Sequence, residues 1–304
     1  MKRPVALGLA SAALVALVVG GLAWWLLARP AGPEETARAY LEALAAGDGQ
    51  QALALAEEPS GPDVDRAAAL EGAEEFISEA SVVGIESDDG AAPRATVSFT
   101  LDGEDRSATF ALVEQDGRWL VAADAFGAVE ATTTIGDAVL AGGEALPTAE
   151  AVSLLPARYA VAAGPAGLVT GSAAAVVLPG ATIPVGVEAA VSPEAGALAQ
   201  KQLDAYAENC TAPATDVPEA CGLRVPWGAD LAALTSIAFR VEQLPRVALA
   251  EDLRSFAATG GVLVATVSGT TREGAPASFT YRADDWALRG GIVLTAEGME
   301  LEVE

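Results

Sequence analysis

The side chains with which this sequence could do chemistry are mainly carboxylates. Its 304 residues include 42 Asp and Glu, 17 Lys and Arg, and no histidine. The lack of histidine excludes Ser-His-Asp and Cys-His relays and removes the commonest ligand of zinc, copper and nickel. Acidic residues cluster at Asp88-Asp89-Gly90, Asp102-Gly103-Glu104-Asp105 and Asp284-Asp285. Calcium takes oxygen ligands of this kind when a loop spaces them correctly. None of the three has the twelve-residue pattern of an EF-hand, and each reads as a turn between strands, where Asp and Gly suit the backbone. No metal site is expected.

A general acid–base pair would need an inward carboxylate beside a tyrosine or protonated carboxyl donor. Tyr40 is the available hydroxyl, but it lies on an apolar helical stripe where core packing accounts for it. No Gly-rich phosphate loop, lipobox cysteine or Ser-x-x-Lys motif occurs. No catalytic residue is assigned, therefore, and no cofactor is expected. Cys210 and Cys221 are the only cysteines, with Pro213 and Pro218 between them. In an extracytoplasmic protein they are expected to pair, closing a short loop and contributing about 2–3 kcal/mol. The sequon Asn209-Cys210-Thr211 overlaps that pair and is read as coincidence.

What must position these groups begins with residues 5–28. From Val5 to Leu27 no side chain is charged. As a helix this run would reach about 34 Å, enough for a hydrocarbon core of roughly 30 Å. Its end is too bulky for a signal-peptide cleavage site, and Trp24 and Trp25 suit the membrane interface. The reading is an uncleaved single-pass anchor. Lys2 and Arg3 hold residues 1–4 in the cytoplasm and place the bulk of the chain outside the cell membrane. Setting Lys2, Arg3 and Arg29 aside leaves 14 basic against 42 acidic residues, a net charge of about −28. Such a charge opposes nucleic acid and anionic lipid headgroups and tolerates a basic partner.

Three segments follow. Over 33–126, helical spacing at Ala37, Tyr40, Leu41 and Leu44 ends at Gly47. A second short helix carries Ala52, Leu53 and Ala56, and a third is expected from Asp63 to about Ala80. Strands then alternate through Val97, Phe99, Leu101, Phe110 and Leu112, with Asp-Gly turns between them. Over 127–191, Ala/Gly/Thr-rich runs punctuated by Gly and Pro read as four or five short strands of a β-rich subdomain or linker. Over 192–304, Ser192-Pro193-Glu194 opens a helix. Strands resume at Ile237, and Arg254–Ala258 and Val262–Val267 form an expected hairpin about Gly260-Gly261.

The stretch ETARAYLEALAAGDGQQALALA (35–56) and the later VEQDGRWLVAAD (113–124) resemble the NTF2-like, cystatin-like α+β fold of extracytoplasmic domains in membrane-anchored actinobacterial proteins. Tyr40, Gly47-Asp48 and Asp116-Gly117-Arg118-Trp119 carry the likeness. Abundant Ala and Val with scarce Lys is similar in style to high-GC actinobacterial proteins. The resemblance implies an α+β architecture, helices on a curved antiparallel sheet, with 192–304 as a second unit of the NTF2-like or cystatin-like kind. The function expected is non-catalytic binding of a ligand, peptide or other envelope protein. The alternative is an enzyme whose NTF2-like pocket does acid–base chemistry on a small molecule.

Overall fold

Pro33 supplies a pre-set φ at the first helical turn, and the Glu35 carboxylate accepts the Gly32 backbone N–H at 2.6 Å. These two features start α1 (Pro33–Ala46), which ends at the left-handed Gly47 and buries Ala37, Tyr40, Leu41 and Leu44. Two further helices, α2 (Gly49–Ala54) and α3 (Arg66–Glu71), have six residues each and are N-capped by Asp48 and Asp65. The computed structural model describes residues 32–87, 91–295 and 298–304.

Four strands follow as an antiparallel meander in the order β1-β2-β3-β4: Ser78–Glu86, Arg94–Leu101, Glu104–Gln115 and Arg118–Val121. Asp102-Gly103 and Asp116-Gly117 turn the last two hairpins with positive φ at both positions. That is the geometry for which Asp-Gly is favoured. Helix α1 packs on β1 and β4.

The chain then makes nine strands: β5 (Gly127–Thr133), β6 (Ala138–Ala141), β7 (Glu144–Pro147), β8 (Val152–Leu154), β9 (Ala157–Ala163), β10 (Val169–Thr170), β11 (Ser172–Val177), β12 (Thr182–Val187) and β13 (Ala190–Val191). They assemble as sheets β11-β9-β6-β7 and β12-β5-β8, with β10 pairing β13. Alternation is strict in β9, where Ala157, Tyr159, Val161 and Ala163 are buried. Strand β5 pairs β12 in parallel and β8 antiparallel.

Helix α4 (Pro193–Cys210) begins at Ser192, whose hydroxyl accepts the Ala195 N–H at 3.1 Å. Strands β14 (Ala233–Gln243), β15 (Arg246–Leu249), β16 (Ser255–Thr270), β17 (Pro276–Thr295) and β18 (Gly298–Val303) complete the chain. Both β14 and β15 pair with β16, and β18 pairs with the far half of β17. Two glutamines of α4 bind the backbones of the strands beside it. Gln200 accepts from Val247 N–H at 2.9 Å and donates to the Pro245 carbonyl at 3.0 Å. Gln202 accepts from Leu301 N–H at 3.1 Å and donates to the Met299 carbonyl at 2.7 Å.

One continuous core runs from α1 to β12, and a second lies between α4, the segment after it and the C-terminal sheet. They meet at the turn between β15 and β16. Leu253, held at φ 53, is 1% exposed and belongs to the first core. Leu249 and Ile292 pack against both. Within the first core Arg66 is buried without a carboxylate partner, and its guanidinium donates to the carbonyls of Ser153, Val64 and Pro62. A second tie is ionic: Arg158 on β9 meets Glu74 at 2.7 Å and Asp102 at 3.2 Å.

Several expectations need correction. The described residues are 50% strand and 19% helix, a mostly β architecture, so the α+β, NTF2-like fold of helices on a curved sheet does not hold. The third helix stops at Glu71, because Gly72 follows and the backbone enters β1 at Ser78. Two six-residue helices are too short to form a layer. The four or five strands expected over 127–191 are nine, and they share a core with the segment before them. The hairpin about Gly260-Gly261 is one strand, β16, whose register with β17 shifts at a bulge there. Asp284-Asp285 lies inside β17 rather than in a turn. The anchor over 5–28, its interface residues Trp24 and Trp25, and Asp88-Asp89-Gly90 lie outside the described residues. Among the described residues no helix is long and apolar enough to cross a membrane. The transmembrane, single-pass cell-membrane placement therefore finds no support in the fold.

Candidate functional site

Cys210 and Cys221 are bonded, joining the last residue of α4 to a point eleven positions on, with Cα atoms 5.6 Å apart. Two hydrogen bonds and one close backbone approach fix the chain around Cys221. The Trp286 indole N–H donates to the Cys221 carbonyl at 2.9 Å, in a buried position. Tyr206 on α4 donates to the Ala220 carbonyl at 2.9 Å. Gly222, at φ 61, lies against the Ala287 carbonyl, where any Cβ would collide with it. On the other side of the loop, Ala214 exchanges both backbone hydrogen bonds with Ile237 of β14. Residues 211–226 therefore form a strap laid over one face of the C-terminal sheet, with Val217, Leu223 and Val225 packed into the second core.

The strap does not cover that face completely. Between Gly222–Arg224 and strands β16 and β17 lies a cavity of ≈ 450 Å³, and a second of ≈ 270 Å³ adjoins it along Arg224, Leu263 and Ala283. The larger one is lined by the short residues Ala257, Thr259, Ala283 and Ala287 together with Leu263, Trp286 and Leu288. Its charged residues are Arg224, Asp285, Arg289 and Glu304, all exposed. None of the four makes an ion pair among the described residues.

The smaller cavity differs electrostatically. Its Arg282 is engaged by Glu242 and by Asp284, the latter at 2.8 Å. The Arg282 hydrogen bond holds the Glu242 carboxyl below its ordinary range, and the same contact raises Arg282. Tyr281 donates to Asp230 at 2.6 Å, and this bond to a carboxylate pushes its hydroxyl up to about 12.

The residues singled out in the sequence go elsewhere. Tyr40 is buried, donates to the Ala125 carbonyl at 3.3 Å and meets the Phe110 ring edge-on at 5.8 Å. Burial raises its pKa, and Tyr159 adds to that rise. Tyr40 belongs to a core that also contains Phe99 and Phe110, and the buried polar residues among those described are Thr36, Arg66 and Ser192, with no carboxylate. Asp102 turns β2 into β3 and pairs with Arg158. No group of three or more His, Cys, Asp or Glu side chains among the described residues could hold a metal ion. Sequence reasoning missed Arg224, Arg289 and Glu304. The available signal was scarcity: Arg224 is the lone base in a cystine-anchored segment of a chain very poor in bases.

Comparison with protein-family models, with curated proteins and with solved structures gives no match. The fold and the cavity must be interpreted on their own terms.

Proposed function

We propose that this chain is a non-catalytic binding protein that takes a small polar ligand on the sheet face beneath the cystine strap. One observation carries the reading: a cavity of ≈ 450 Å³ lies beside a segment held by a cystine and a buried tryptophan hydrogen bond. That volume lies in the range of small-molecule sites, about 300–1,000 Å³, and such sites are usually pre-formed. A peptide or another protein presenting a polar end would enter by the same opening. The test is protein-observed NMR of the full oxidised chain against mixtures of small polar compounds. Shifts that saturate and cluster at Ala257, Thr259 and Ala287 are expected. An absence of such shifts, or shifts confined to the opposite end of the molecule, would overturn the reading.

A further inference from the structure

We infer that the ligand is a zwitterion, a free amino acid or short peptide with both termini unblocked; this inference rests on the binding reading above. The argument starts from charge pairing. Seven of the arginines, at 38, 94, 106, 158, 240, 254 and 282, sit beside a carboxylate. Arg66 and Arg272 are satisfied instead by carbonyl oxygens. Four arginines, at 118, 224, 246 and 289, have neither kind of partner among the described residues, and two of these, Arg224 and Arg289, line the cavity that also holds Asp285 and Glu304.

Backbone geometry makes that separation notable. The Glu304 N–H donates to the Arg289 carbonyl at 2.9 Å, so these residues are cross-strand neighbours, and still their charges do not meet. Two cations and two anions thus face a common space with their hydrogen-bonding capacity unspent. The lining is neutral in sum, which gives a pure anion or a pure cation no net attraction. A molecule carrying one carboxylate and one ammonium satisfies both signs. Guanidinium groups take the carboxylate through paired N–H donors, and the two carboxylates accept from the ammonium. The cavity's ≈ 450 Å³, lined in part by the short Ala257, Ala283 and Ala287, leaves room for a peptide backbone.

Calorimetric titration of glycylglycine into the full oxidised chain tests this, with N-acetylated and C-amidated forms run on the same protein. Saturable binding of the free dipeptide is expected, weakened roughly tenfold or more by blocking either end. Arg289→Gln and Asp285→Asn should each produce a comparable loss, with an unfolding midpoint equal to the parent's because both side chains are exposed. Equal binding of the doubly blocked peptide, or no saturable binding of the free one, would overturn the inference. If other compounds still shift the Ala257 and Thr259 resonances, the ligand class is wrong and the binding reading stands. If none does, both fail.

Discussion

At the scale of single residues, the raised tyrosine hydroxyls divide between the core, at Tyr40 and Tyr159, and the C-terminal sheet, at Tyr281. Tyr281 offers a direct check. Its hydrogen bond to Asp230 favours the protonated phenol and pushes its pKa up to about 12. A raised pKa means the stabilisation is complete below pH 10 and is lost as pH rises through about 12. Absorbance at 295 nm, taken as the difference between the parent and Tyr281→Phe, should show this late titration. Asp230→Asn should bring it back towards 10; an unchanged midpoint in that variant would show that Asp230 is not the cause. Much at this scale was legible beforehand. The cystine followed from two lone cysteines, and Tyr40 followed from an apolar stripe. The cavity arginines were not legible, since a lone base at Arg224 gains a partner in Arg289 only when β16 and β17 are in place.

At the scale of elements, the strap is the part whose removal is easiest to interpret. Replacing Cys210 and Cys221 together by alanine should cost about 2–3 kcal/mol in denaturant unfolding. Its local signature should be faster hydrogen exchange over 211–226, with β2 and β3 unaffected. Uniformly faster exchange would mean that the cystine stabilises the whole molecule and not this segment in particular. Helix α1 and the β2–β4 hairpins were readable because their periods of 3.6 and 2 are carried by large residues such as Leu41, Phe99 and Phe110. The middle strands were counted poorly for the opposite reason. Alternation in Ala157–Ala163 is written mostly in alanine, which buries little area and carries no strand preference. The bulge at Gly260-Gly261 looked like a hairpin because Gly-Gly signals both.

At the scale of the whole molecule, two cores meet around Leu249, Leu253 and Ile292, and a small third cluster of Leu168, Ala195, Ala199 and Met299 joins the middle strands to α4 and β18. Leu253→Ala should cost roughly 2–4 kcal/mol in the unfolding of residues 33–187, although the residue belongs to the C-terminal half. Unfolding followed at Trp119 and at Trp286 would report the halves separately, and a loss seen only at Trp286 would contradict the assignment. The expected NTF2-like architecture failed at this scale. Its local markers were sound descriptions of a helix and two turns, but they say nothing about a core that continues into nine further strands. One consequence of α4 and the strap also belongs to the whole molecule. The C-terminal sheet has three margins, β14, β15 and β18, and a margin's outward N–H and C=O groups are a template for a strand from a neighbouring copy. Each margin is met at one point by a partner that is not a strand: Ala214 at Ile237, Gln200 at Val247, and Gln202 at Met299 and Leu301. A strand arriving from a second copy would have to displace these contacts before it could pair along the edge.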